Sequence, residues 1–308
     1  MNRPAKLPRI ETSETFTLLQ PDPSEGQVGR AFLLNSPHSG DEFPPEFLAR
    51  AQLPRETMRR ASDLFVDRLI EPLTGAGATL MRAHLPRSYI DLNREPLELD
   101  PRLISGPLPV EANTRSLRVA GGLGTVPRVI GDQVEIYAGK LTLAEALTRI
   151  ERFYVPYHRR LVDELAALRA ACGFACLIDC HSMPSTTRSV GSGLIPDIVV
   201  GDRFGASASP VLLGLFEDAA RAEGFRVERN QPYAGGYITE CYGRPSLGWH
   251  AFQIEVNRAL YMDERRLEPH ADFAEFAMRL RRAFLKFFAD QAFVFRATDL
   301  QFYQKAAE

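Results

Sequence analysis

Two histidines and one glutamate stand where a metal-assisted hydrolysis could be built. His38 lies in NSPHSGDEF, where a short apolar run gives way to Pro, Ser and Gly that bend the backbone and leave the imidazole at a rim. His181 follows another apolar run in CLIDCHS, and Glu255 interrupts a third in FQIEVNR. In an extended strand, Asp179 and His181 share one face while Ile178 and Cys180 share the other. The same alternation groups Gln253, Glu255 and Asn257 against Phe252, Ile254 and Val256. A carboxylate inside such a strand is costly unless it is paired, metal-linked or functional. Two imidazoles and one carboxylate around a divalent ion, with a fourth position for water, is the arrangement of a catalytic zinc.

The spacing leaves the carboxylate ligand open. Asp41 follows His38 by three residues and Glu42 by four. Asp63 and Asp67, in SDLFVDRL, stand at i and i+4 and would project from one helix face, where capping and ion pairing with Arg68 would also occupy them. Around the reacting centre, RSYIDLNREPLELD offers Arg87, Asp91, Asn93 and Arg94; an Arg fork beside an Asn suits a substrate carboxylate, and an Arg94–Asp91 pair is the structural use of the same residues. PYAGGYITECYG places Tyr237 and Thr239 after two glycines, in a turn where backbone can approach a ligand. GGLGTVPR, ending in Arg128, is glycine-rich but lacks the Lys-Ser/Thr ending of a phosphate-binding loop. A nucleotide site is therefore not expected.

These residues must be positioned by elements that alternate along the chain. Apolar runs at 31–35, 79–83, 176–179 and 252–256 read as strands, and helical periodicity covers about 57–74, 140–170, 209–223 and 266–291. That order predicts an α/β fold with one mixed, mostly parallel sheet flanked by helices on both faces, and a site at the carboxyl ends of the strands. Residues 1–28 read as a polar, Pro-containing arm and 29–308 as a single domain. Residues 100–139, rich in Gly and Pro, form a long irregular excursion of a kind more often functional than structural. Pro156 should bend or divide the helix that starts near Lys140. Phe273, Phe276, Leu280, Phe284 and Phe287 form a core-facing stripe on the last helix.

With 37 basic and 39 acidic residues, the chain carries a formal charge of -2, which offers no electrostatic footprint for nucleic acid or an anionic membrane. No leader or membrane-spanning run is evident, so a cytoplasmic protein is expected. Four cysteines are too few for a disulfide framework, and CGFACLIDC has no CxxC pair for a cysteine-based zinc site. The partner expected is a small molecule; oligomeric state is left open.

In the order SPHSG, DLFVDRL, YIDLNR, GTVPR, IDCHSMPS, PDIVVGDRFG, PYAGGYIT and QIEVNRALYMDE, the sequence resembles the N-formylglutamate amidohydrolase family from about residue 31 to 265. The resemblance implies a zinc-carboxypeptidase-like (phosphorylase/hydrolase-like) fold. It also implies metal-dependent removal of the formyl group from N-formyl-L-glutamate, the last step of one route of histidine breakdown. On it, His38 and His181 match metal-site histidines, with Zn2+ or another divalent ion as cofactor. An acid at position 41 is not a regular family feature, which favours Asp63 as the carboxylate ligand, with Asp67 as second choice. Glu255 corresponds to the general base. Asn93 and Arg94 resemble a carboxylate clasp, and Arg128, Tyr237 and Thr239 join them as candidate substrate-binding residues. The rival readings are a zinc deacylase or amidase of another N-acyl amino acid or a cell-wall peptide, and a non-catalytic binding protein of the same fold.

Overall fold

The computed structural model describes residues 9–21, 28–189 and 193–305. Eight strands form its main sheet: β1 (Arg9–Thr12), β2 (Phe16–Gln20), β3 (Phe32–Ser36), β4 (Thr79–Ala83), β5 (Ala175–Met183), β6 (Ile198–Gly201), β7 (Val227–Arg229) and β8 (Trp249–Asn257). Across the sheet they run β1-β2-β4-β3-β5-β8-β6-β7. The central four, β4, β3, β5 and β8, are parallel to their neighbours in that set. They are the four apolar runs of the sequence, as expected for strands covered on both faces. β1, β2 and β6 join antiparallel, and β7 runs parallel to β6.

Helices cover both faces, giving the mixed, mostly parallel α/β fold that the alternation predicts. On one face Leu34, Ile178 and Ile254 pack with Leu212 and Phe216 of the helix Pro210–Ala222 and with Leu280, Phe284 and Phe287 of the helix Phe273–Lys305. Phe276, Leu280, Phe284 and Phe287 are buried, so the phenylalanine stripe is core. On the other face Leu33, Leu177 and Ala251 pack with Tyr157, Leu161 and Leu165 of the helix Val155–Cys172. Among the described residues, no helix is long and apolar enough to cross a membrane.

Three departures from the sequence reading have local causes. Residues 9–20, expected within a polar arm, supply β1 and β2; β1 is an exposed edge strand, and Leu18 and Leu19 of β2 are buried against the sheet. Residues 1–8 and 22–27 of the arm lie outside the described residues. The helix expected over 57–74 is broken into Arg55–Arg59, Val66–Ile70 and a 3-10 turn Glu71–Ala76. Phe65 takes a left-handed conformation at φ 68°, which ends any continuous helix there and leaves Asp63 in a turn. The helix around Pro156 is not divided: a capping box at Thr142 and Glu145 starts it, and a π turn at Ile150–Tyr154 leads into Val155–Cys172. The wider turn accommodates the proline, which has no N–H to offer the preceding turn. The excursion 100–139 carries only short elements, among them the helical turn Leu117–Ala120 and the two-residue strand Val129–Ile130.

Candidate active site

The register of the parallel strands sets the site. Asn35 of β3 lies opposite Asp179 of β5, which lies opposite Gln253 of β8; one step along, His181 lies opposite Glu255. All of these polar side chains emerge on the face occupied by Leu33, Leu177 and Ala251, near the carboxyl ends of the strands. His38 follows the end of β3, and its carbonyl accepts a hydrogen bond of 2.9 Å from the Asp63 backbone N–H. That bond ties the Asp63 turn to the His38 turn.

His38, Asp63 and His181 are all buried and bring their potential ligand atoms within 4.8 Å of one another. Asp63 Oδ2 lies 3.0 Å from His181 Nδ1 and 3.4 Å from His38 Nδ1. Its other oxygen, Oδ1, accepts from Ser182 Oγ at 2.9 Å and Arg258 Nη2 at 3.1 Å. Each imidazole presents its far nitrogen to a second buried carboxylate: His38 Nε2 to Asp91 Oδ1 at 2.7 Å, and His181 Nε2 to Asp179 Oδ2 at 2.8 Å. Carboxylates placed this way keep a hydrogen on Nε2 of each imidazole and turn both Nδ1 atoms towards a common point.

Asp91 is itself fixed. Its carboxyl is buried, which alone would raise its pKa, but Arg87 at 2.8 Å and the nearby Arg94 hold it well below the usual carboxylate range. It therefore accepts from His38 and leaves Nδ1 as the acceptor. That Nδ1 is buried and without a hydrogen-bond partner, facing a carboxylate oxygen. Lone pair against lone pair is repulsive unless a cation lies between them, and two nitrogens with one carboxylate oxygen suit a divalent ion of the zinc type. Asp63 is likewise held well below its ordinary range, burial being outweighed by His181 and His38. His181 is pushed well above the ordinary imidazole value, because Asp179 and Asp63 outweigh its burial. A positive charge belongs at this point.

Glu255 stands beside His181 on the neighbouring strand and opens onto a cavity of about 520 Å³. Burial pushes its carboxyl up to about 8. Asp63, Arg87, Asp91, Arg94, Arg118, His181 and Arg258 are among the other lining groups. A smaller recess of about 200 Å³ beside it adds His38, Asn93 and the Gly235–Gly236 turn. Gly235 sits at φ 123°, and a Cβ on Gly236 would come within 2.6 Å of the Asn93 amide, so both glycines are required by the turn.

The other sequence candidates sort clearly. Asn93 lines the smaller recess, yet its amide is largely committed: Nδ2 donates to Asp179 at 3.0 Å and Oδ1 accepts from Ile238 N–H at 2.8 Å. Arg94 lines the cavity while its guanidinium also holds the carbonyls of Leu123 and Asn93. Tyr237 lines a neighbouring recess of about 350 Å³. Thr239 is fully buried, with its hydroxyl on the Gly236 carbonyl, and lines none of these cavities. Arg128 is turned away too, bonded to Asp100 at 2.9 Å and Glu135 at 2.7 Å. Asp41 pairs with Arg59 at 3.0 Å, and Asp67 faces Arg82 at 3.7 Å, so neither joins the cluster. Sequence reasoning missed the backing role of Asp91 and Asp179, the Arg258 anchor on Asp63, and Arg118. For Asp179 a signal was present, since it shares a strand face with His181.

The sequence pattern of N-formylglutamate amidohydrolases matches residues 30–262. N-formylglutamate deformylase of Pseudomonas aeruginosa is 31% identical over 259 residues, covering 82% of this chain and 91% of its own. The enzyme of the same name from Pseudomonas putida is 30% identical over 206 residues, covering 66% and 71%. The crystal structure of N-formylglutamate amidohydrolase from Ralstonia eutropha JMP134 superposes with a TM-score of 0.82 at 34% identity, covering 92% of this chain and 99% of that one. The chain belongs to the N-formylglutamate amidohydrolase family.

Proposed function

We propose that the chain is a metal-dependent hydrolase that cleaves N-formyl-L-glutamate to L-glutamate and formate. The observation that carries the reading is the buried His38–Asp63–His181 cluster, with an unpartnered His38 Nδ1, beside the cavity-facing Glu255. The names of the Pseudomonas and Ralstonia relatives support the substrate. Zn2+ is the ion that two imidazoles and one carboxylate suit best, and when bound it would polarise the formyl oxygen and acidify a water.

The rest falls to the chain's own residues. His38, Asp63 and His181 would hold the ion, Asp91 and Asp179 fix the imidazoles, and Ser182 with Arg258 aims the Asp63 carboxylate. Glu255 takes a proton from the attacking water and returns it to the leaving amine; burial, by raising its pKa, makes the carboxylate a stronger base for that task. Arg87 and Arg94, on the cavity wall and sharing only Asp91, attract a substrate carboxylate. A cytoplasmic setting and a place in histidine degradation belong to the same reading.

A panel of N-acyl amino acids tests the substrate. Amine release from N-formyl-L-glutamate should greatly exceed release from N-acetyl-L-glutamate. Equal or faster turnover of the acetyl compound would replace this assignment with a broader N-acyl amino acid deacylase.

A further inference from the structure

Five arginines line the main cavity, and four are spoken for. Arg87 bonds Asp91 at 2.8 Å, Arg94 bonds the carbonyls of Leu123 and Asn93, and Arg258 bonds Asp63 and Ser182. Arg60, at the outer rim, is bonded to the carbonyls of Glu264 and Arg265. The exception is Arg118, whose guanidinium has no hydrogen bond or ion pair among the described residues.

Its position is unusual as well. Arg118 lines the 520 Å³ cavity, the 350 Å³ recess and the 200 Å³ recess, and so stands where the three meet. It sits on the helical turn Leu117–Ala120, capped by Ser116 and pinned by the buried Val119. The Arg118 carbonyl accepts from Leu123 N–H at 2.8 Å, and the Leu123 carbonyl accepts from Arg94 Nε at 2.9 Å. One short link thus holds the two arginines on the same wall. Arg94, buried and close to both Arg87 and Arg118, has its pKa lowered, which places the three cations within electrostatic reach. Among the described residues, Asp91 is the one acid bonded to any of the three; Glu95 and Glu98 line the adjoining recess without an ion pair to Arg118.

A dicarboxylate ligand would complete this wall. The α-carboxylate of an N-formyl amino acid stays one carbon from the scissile amide and so remains near the Arg87–Arg94 pair, while a side-chain carboxylate extends further. We propose that Arg118 binds the side-chain carboxylate of the substrate and sets the preference for acidic over neutral N-formyl amino acids. The inference rests on the hydrolase reading and deepens it. Arg118 is a specificity residue in this account; Arg87 and Arg94 serve any N-formyl amino acid.

The experiment compares N-formyl-L-glutamate with N-formyl-L-glutamine, which keeps the shape and removes the charge. Calorimetric titrations use zinc-loaded Glu255→Gln protein, so that binding is read without turnover, with Arg118 intact and with Arg118→Met. With Arg118 intact, the glutamate compound should bind about tenfold to a hundredfold more tightly, the size of a charge-assisted hydrogen bond. Arg118→Met should abolish that ratio and leave the glutamine compound unchanged, and Arg118→Lys should restore part of it. Because Arg118 is exposed, its replacement leaves the core intact. A ratio that survives Arg118→Met, equal weakening of both ligands, or no preference with Arg118 intact would overturn the proposal. Failure of the wild-type protein to hydrolyse N-formyl-L-glutamate would instead overturn the proposed function, whatever the titrations show.

Discussion

Replacing Asp91 by asparagine removes one charge and one acceptor without changing the shape of the side chain. Asp91 is about 1% exposed and uses both oxygens: Oδ1 accepts from His38 Nε2 at 2.7 Å and from the Asn93 backbone N–H at 2.9 Å, and Oδ2 accepts from Arg87 at 2.8 Å. A carboxamide has two orientations here. With its nitrogen towards the arginines, a donor faces two cations. With its nitrogen towards His38, it faces the Asn93 N–H and forces the imidazole to carry its hydrogen on Nδ1, where the metal should bind. Either way a buried donor loses its acceptor, at about 1–3 kcal/mol. Loss of a backing carboxylate commonly weakens metal binding by about 10–100-fold, which is of the same size. Zinc affinity of Asp91→Asn, read by competition with a chromophoric chelator, should fall by about that factor while circular dichroism shows the fold retained. Unchanged zinc affinity in a folded variant would refute the claim that Asp91 orients His38 for a metal.

Three further outcomes follow from the buried titrating groups. Glu255→Gln should lower kcat by about 10²–10⁴-fold with zinc affinity nearly unchanged, because a general base is lost and the ligands are not; a loss confined to KM would contradict the role. In the unsubstituted enzyme kcat/KM should fall towards acid pH as Glu255 takes up a proton, with an apparent pKa no higher than about 8, since a bound dication can only lower the value set by burial; an alkaline-side loss alone would count against it. His158 gives a stability test. It is buried neutral between Tyr242 Oη at 2.6 Å and the Leu92 carbonyl at 2.9 Å, and burial lowers its pKa to about 4. Below the ordinary histidine value near 6.5 the unfolded chain binds a proton that the folded chain refuses, so stability should be lost as pH falls from about 6.5 to about 4, by at most about 3 kcal/mol. Chemical denaturation across that range should show a shallower pH slope in His158→Gln than in the wild type. Equal slopes would mean that His158 titrates alike in both states.

The central sheet was legible because four apolar runs, each bounded by turn residues, can be buried on both faces. The grouping of His181 with Asp179, and of Glu255 with Gln253, followed from two-residue periodicity alone. What the periodicity cannot give is which strands become neighbours, and the His181–Glu255 pairing depends on β5 and β8 lying side by side although about seventy residues separate them in the chain. Asp63 could not be separated from Asp41 and Asp67 by spacing. The deciding features are a single left-handed residue, Phe65, and a backbone bond to His38, neither of which has a compositional signature. The orientation of Arg128 and Thr239 was not legible for a related reason: being near a glycine-rich turn does not say which way a side chain points, and here Asp100, Glu135 and the Gly236 carbonyl bond them. β1 and β2 were hidden because an edge strand and its short neighbour carry little pattern, and their order comes from pairing with β4.

The most direct measurement is formate release from N-formyl-L-glutamate by the purified protein in three states: zinc-loaded, stripped by a chelator, and stripped then reloaded. Release in the first state, its loss in the second and its return in the third are the expected results. Undiminished release from protein shown to be free of metal would contradict the account at its centre.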